Sequence, residues 1–414
     1  MDTITHGIAG ALLGKSIFRG DEMFTRRPMN RGRIITWSLM VGAIFPDADA
    51  FRGTFSHNDM LIMTWHRSIT HSLFCLPLWA LLLAAITRAL VRWRNWDAPS
   101  FASLTGIYAV GIASHIFLDL VTSFGTMIWS PLQYVRPAWD LIFIVDFTFS
   151  AILLIPQLLA WIYAKPDGLR PRALSCWIIS VTATLAIAGI GQIVGAPISH
   201  TYISLTIVIL AAVFLLPSMR GFGLRLQRNT WNRAGLVLAV AYFVAAFFAH
   251  NAALARVKQF AASQHIEVQA LGALPLPPSV AHWDGLILSP HGVYETRINF
   301  GSPTADPNNS LVSIDLSPSV ANQSRPEMFP IEYSFFPNAP ENPFIDASRR
   351  LPQVETYFWF ARFPVTRFHK EGDVAVVEFS DIRFPHARSQ GPDPFTYVVR
   401  FDANGKVLSQ GWRK

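Results

Sequence analysis

The sequence predicts an all-α polytopic membrane domain of about eight helices, followed by a soluble, sheet-rich α+β domain. Three observations predict it. Charged residues make up 15% of the 414 residues and hydrophobic ones 51%, with 13 Trp and 31 Phe, against a globular average of about 25% charged. Apolar segments recur along the first 250 residues, most of them long enough for a hydrocarbon core of about 30 Å. After Asn251 the long apolar runs stop, and Pro, Asn, Ser and Asp become frequent.

The apolar segments run at about 3–18, 34–50, 69–91, 101–123, 140–163, 175–197, 201–217 and 234–250. The first two are weaker, because His6 and Lys15 interrupt one and the second is uninterrupted only to Phe45. We divide the chain into a membrane-embedded site domain at 1–163, additional transmembrane helices at 164–255 and an extracytoplasmic domain at 256–414. In that last domain alternation marks strands at 286–300, 328–336, 373–383 and 395–401, with one more after the Asp402–Gly405 turn. Residues 344–361 read as helical. Cys75 and Cys176 both fall in apolar segments and are expected as core thiols. The opening Met-Asp-Thr-Ile-Thr-His has no basic stretch, so no cleaved signal peptide is expected.

Loop charge sets the expected orientation. With eight spans, one set of alternate loops holds fifteen Lys/Arg, beginning with Arg19, Arg26, Arg27, Arg31 and Arg33, while the opposite set holds three: Arg52, Arg67 and Arg136. The basic set is expected in the cytoplasm. The 51–68 and 124–139 loops and everything after residue 250 then face outward. Basic residues clustered between apolar runs give no nucleic-acid surface.

Polar residues that are costly to desolvate gather on that outer side. They are His6, then Asp47 and Asp49, then His66, Arg67 and His71, then His115 and Asp119, then Asp140 and Asp146. Such groups beside membrane helices usually serve function. His115 and Asp119 are four apart and share a helix face, although a structural hydrogen bond would place them the same way. The candidate ligands are His6, Asp49, His66, His71, His115 and Asp119. His66 and His71, five apart, would not face one way on a single helix. A His/Asp set without thiolate suits a divalent metal, zinc first and manganese or iron as alternatives. Asp47 or Asp49 would serve as general base, with ligand and base not distinguished. Arg67 and Arg136 would meet an anionic substrate group, with Arg67 also stabilising charge in the reaction. Asp146 would stand behind the ligands. His57 and Asp59 read as loop residues.

The stretches MDTITHGIAGALLG, IFPDADAF, WHRSITHS, SHIFLDLVTSFGT, WSPLQYVRPAWD and LIFIVDF resemble the YdjM-like family, described as inner-membrane-associated metal-dependent hydrolases. The resemblance covers residues 1 to about 150. It carries over to His6, Asp47, Asp49, His66, Arg67, His71, His115, Asp119 and Asp146, and it implies a bacterial inner membrane. More distantly, the His/Asp set is similar to zinc-dependent phospholipase C and the P1-type nucleases, implying a partly phospholipase C-like fold. No second HxxxE/D helix motif is evident, so a three-zinc cluster is not implied.

The expected function is hydrolysis of a phosphoester in a membrane lipid or lipid-linked molecule by a metal-activated water, with the site and the C-terminal domain on the periplasmic side. No GxSxG elbow supports serine chemistry. The competing reading is a transporter or ion-handling protein using the same cluster. It would need polar groups through the bilayer depth, where Gln157 and Gln192 are the main interior ones in the later segments.

Overall fold

The computed structural model describes residues 1–21, 29–50, 60–193, 198–220, 222–300, 333–384 and 395–413. Arg26, Arg27, Arg52, His57, Asp59 and the first part of the 328–336 strand lie outside the described residues. Contacts divide the chain into two units: Met1–Trp139 with Ile144–Ala245, and Asp140–Phe143 with Ala246–Lys414.

The first unit is helical. Helix α1 (Thr3–Ser16) starts on Asp2, whose carboxylate accepts from the Thr5 amide and hydroxyl, satisfying donors that every helix start leaves open. Helix α2 (Arg31–Ile44) is capped by Asn30 and runs into a 3₁₀ turn, Phe45–Asp49. A one-turn helix α3 (Leu61–Thr64) and a second 3₁₀ turn, Ile69–His71, lead to α4 (Leu76–Arg94) and α5 (Phe101–Leu120). Next come α6 (Phe147–Ile162), α7 (Leu169–Ile193), α8 (His200–Arg220) and α9 (Arg228–Ser263).

Five helices are long and apolar enough to cross a membrane, at Leu76–Arg94, Phe101–Leu120, Leu169–Ile193, His200–Ser218 and Asn229–Ser263. Helices α1 and α2 have 14 residues each, about 21 Å at 1.5 Å per residue. The expectation that both are full spans is therefore corrected: each falls short of a hydrocarbon core. They pair through small residues instead. A Cβ on Gly10 would sit 2.6 Å from the Leu39 carbonyl oxygen, and one on Gly111 would sit 2.9 Å from the same atom. Bare backbone lets α1, α2 and α5 approach this closely.

The second unit takes the end of α9, whose Ala253, Val257 and Phe260 pack on Ala273, Trp283, Ile287 and Ile298. Two four-stranded antiparallel sheets follow: β1 (Ala270–Leu276), β2 (His282–Ser289), β3 (Gly292–Asn299) and β4 (Tyr333–Pro337), then β5 (Pro364–Glu371), β6 (Val374–Asp381), β7 (Thr396–Phe401) and β8 (Val407–Trp412). Helices α10 (Pro343–Arg349) and α11 (Pro352–Phe360) lie between them in sequence. The single stretch expected at 286–300 is a hairpin. Its turn at Ser289–Gly292 needs Gly292, where φ is +148° and an added Cβ would meet the Phe336 carbonyl.

The described residues carry eleven α-helices, and this corrects the predicted count of about eight. Counting lipid-length apolar runs cannot register the single-turn α3, while the two short helices of the sheet unit fall in the stretch read as helical at 344–361.

Candidate metal centre

Four elements converge on one point in the first unit. His6 lies in the first turns of α1, and Asp47 sits in the 3₁₀ turn that ends α2. His71 closes the second 3₁₀ turn, and His115 and Asp119 occupy adjacent turns near the end of α5. The ligand atoms of His6, Asp47, His115 and Asp119 all lie within 4.8 Å of one another. His71 joins them, with Nε2 3.0 Å from His115 Nε2 and 3.1 Å from Asp119 Oδ2. The imidazoles of His6, His71 and His115 have no exposed side-chain surface.

The proton positions follow from the partners. His115 Nδ1 lies 2.6 Å from the Ala43 carbonyl oxygen. A carbonyl only accepts, so Nδ1 carries the hydrogen and a neutral ring turns a lone pair on Nε2 inward. The Thr70 hydroxyl donates to Asp49 Oδ2 at 2.8 Å. His71 Nδ1, 3.0 Å from that hydroxyl and 3.3 Å from Asp49 Oδ2, must then donate as well. In a neutral ring its Nε2 is then a second inward lone pair. Asp47 Oδ1, 3.4 Å from His115 Nε2, and Asp119 Oδ2, 3.3 Å from it, add acceptors to the same point.

A buried pocket walled by acceptors calls for positive charge, and the Met1 amino group and Arg67 bring it to Asp119 Oδ1. One proton on His71 would answer one of these contacts. A divalent cation would answer all of them, and the N/O donors fit one. Asp119 also contacts the Met1 amino group and receives Arg67 Nη2 at 2.9 Å on Oδ1. His6 Nε2 lies 3.2 Å from the same oxygen.

The remaining sequence candidates surround this group rather than enter it. Asp49 accepts from His66 Nδ1 at 2.7 Å, from the Arg67 amide at 3.0 Å and from Thr70, so it steers imidazoles from behind. Burial alone would push its carboxyl up. The hydrogen bonds from His66 and His71 outweigh that and hold it well below the usual carboxylate range. His66 keeps 24% of its side chain exposed. Arg67 is 2% exposed and has φ of +62°, a left-handed conformation rare for a long side chain. It spends its guanidinium on Asp119 and on the Thr122 hydroxyl at 3.1 Å. Arg136 donates to the carbonyls of Met63, His66 and Gly125. Phe124 lies against both guanidiniums, each 5.0 Å from its ring centre.

Asp146 caps α6, accepting from the Thr148 and Phe149 amides and from the Tyr242 hydroxyl at 2.6 Å. Asp140 belongs to the second unit, where it takes both arms of Arg362 at 2.9 and 2.8 Å. Thr3 supports Asp47 Oδ2 with a 2.6 Å hydroxyl bond. Sequence reasoning missed Thr3, Thr70, Thr122 and the Ala43 carbonyl. Only Thr70, beside His71, carried a positional signal.

Residues 1–192 match the family model described as YdjM inner membrane protein. The match reaches beyond the 150 residues over which the resemblance was legible. It agrees with the membrane-length helices, and it adds no support for a likeness to phospholipase C or P1-type nucleases. No curated protein and no solved structure matches the chain.

Proposed function

We propose that the first unit is a membrane-embedded, metal-dependent hydrolase that cleaves a phosphoester of a lipid or lipid-linked molecule. The observation that carries this reading is the convergence of possible ligand atoms from His6, Asp47, His71, His115 and Asp119. Zinc suits these N/O donors, with manganese and iron as alternatives. A divalent cation held there would supply Lewis acidity and a water of lowered pKa.

Around it each residue has a task that its contacts support. The Ala43 carbonyl and Asp49 fix the tautomers of His115 and His71, so that both present Nε2 inward. Arg67 holds Asp119 by charge, and Arg136 ties the segments at Met63, His66 and Gly125 together. His66, with Nδ1 committed to Asp49, keeps Nε2 for moving a proton between water and substrate. Among the four imidazoles here it alone retains side-chain exposure. A lipid-derived substrate follows from location, because the group sits at the ends of α4 and α5, two helices of membrane-spanning length. Loop charge at the two membrane-length helices supports an outward-facing site, with Arg88, Arg92 and Arg94 at the far end of α4 against Arg136 alone between α5 and Trp139.

Elemental analysis of the detergent-purified protein beside a His115→Ala/Asp119→Ala variant tests the reading. One or more zinc, manganese or iron per chain, lost in the variant, is the expected result, followed by turnover of lipid phosphoesters. A protein that takes up no metal when offered it removes the hydrolase.

A further inference from the structure

The segment that leaves α5 is built in an unusual way. From Leu120 to Trp139 there is no acidic residue and one basic residue, Arg136. Arg136 turns inward onto the carbonyls of Met63, His66 and Gly125. Apart from Gln133, the large side chains the segment turns outward are apolar or aromatic: Trp129 is 40% exposed, Leu132 66%, Tyr134 57% and Val135 51%. Beside it Leu73 and Phe74, just ahead of α4, are 41% and 55% exposed, and the Phe74 ring lies 6.1 Å from that of Trp129. Large side chains left open in a cluster mark a surface that meets something apolar.

The same segment is bonded to the site. The Met127 amide donates to the Arg67 carbonyl at 2.9 Å, and the Leu73 amide donates to the Ile128 carbonyl at 3.0 Å. It also begins and ends at fixed depth. It starts where α5 stops, and the Trp139 amide returns to the Leu120 carbonyl at 2.9 Å. Its neighbour Phe74 precedes the first residue of α4 by two positions. Helices α4 and α5 have membrane-spanning length, so their ends lie at the boundary between acyl chains and headgroups. Trp and Tyr concentrate at that boundary.

We propose that residues 129–135, with Leu73 and Phe74, are seated in the headgroup–acyl boundary of the bilayer and hold the His/Asp site at that depth. The occupant of this surface is lipid. The site then receives an amphiphile from the leaflet instead of a solute from bulk water. This second step rests on the hydrolase reading; the seat itself does not.

The test uses the full chain in nanodiscs of phosphatidylethanolamine and phosphatidylglycerol, with Cys75 and Cys176 replaced by Ala. A polarity-sensitive fluorophore is attached at Leu132→Cys, at Val135→Cys or, as control, at Leu408→Cys on exposed β8. Lipids brominated near the headgroup should quench the first two severalfold more than the third. Equal quenching at all three overturns the seat. A Leu132→Ser/Val135→Ser variant is then compared with wild type on a long-chain phosphoester in the nanodisc and on the water-soluble p-nitrophenyl phosphate. Severalfold loss on the first probe alone, with metal content unchanged, is expected. Equal rates on the embedded probe overturn delivery from the leaflet. If the wild type hydrolyses neither probe, the hydrolase reading fails, and the quenching still decides the seat.

Discussion

Asp47 and Asp49 show at the scale of single residues what spacing can and cannot tell. Both were legible as functional, but their roles were not, because they sit in a 3₁₀ turn. At three residues per turn, positions two apart point about 240° apart. One carboxylate therefore faces the acceptors of His71 and His115, while the other faces His66 and Thr70 from behind. Asp49→Ala should weaken metal binding roughly 10–100-fold without abolishing it. Asp119→Ala should abolish it. Competition against a chromophoric chelator separates the two, and equal losses would put Asp49 among the ligands. Arg67 adds a second case. Nothing in the sequence marks a left-handed, buried arginine, so it read as a substrate contact. Its removal would leave buried Asp119 with the Met1 amino group as its remaining cationic partner, a loss of at most about 3–5 kcal/mol, the range for a broken buried pair. A bound divalent cation would neutralise the same carboxylate. Arg67→Ala should therefore lower the unfolding temperature strongly in chelator and less when zinc is added. An equal drop in both conditions would mean that the metal does not share Asp119.

At the scale of elements, the site depends on how closely bare helices approach. Gly111 on α5 faces the backbone of α2 one helical turn from His115, and α2 ends at the turn carrying Asp47. A Cβ there would meet the Leu39 carbonyl at 2.9 Å, too close without moving α2. Gly111→Ala should cost roughly 1–3 kcal/mol, the usual range for overpacking, and should lower metal affinity although every ligand is intact. Full affinity in a destabilised protein would separate packing from site geometry. In the sheet unit, Asp284 on β2 supplies a pH dependence. Burial pushes its carboxyl up to about 7, against the pull of Arg297 at 2.7 Å, a guanidinium that is 40% exposed and also reaches toward Glu295. The folded chain holds that proton more tightly than the unfolded chain. This contribution is therefore present at low pH and is lost as pH rises from about 4 through 7. Asp284→Asn should change the unfolding temperature little at pH 4 and raise it relative to wild type at pH 8. A constant difference across that range would show that the carboxyl titrates normally.

At the scale of the whole molecule, apolar length and charge made the helical region and the later sheets legible. They could not resolve elements shorter than a bilayer. Strands β1 and β5 also escaped, since Ala270–Leu276 and Pro364–Glu371 lack clean alternation. The deciding element is α6. Its 16 residues span about 24 Å, between the length of α1 and that of a full span. Helices α1 and α2 return the chain to the side it left, whether or not they cross. Helices α4 and α5 do the same, so the site and the 121–146 loop share a side. Beyond that, α7, α8 and α9 have the length and apolarity for three crossings. If α6 also crosses, the C-terminus lies on the side of the site; if it does not, the C-terminus lies opposite. Lys165, Arg170 and Arg172 directly follow α6, and positive charge at that end favours a crossing. A C-terminal alkaline phosphatase fusion should therefore be active and a C-terminal green fluorescent protein fusion dark. The reverse pair of signals would leave α6 in one leaflet and put the sheet unit in the cytoplasm, away from any substrate reaching an outward-facing site.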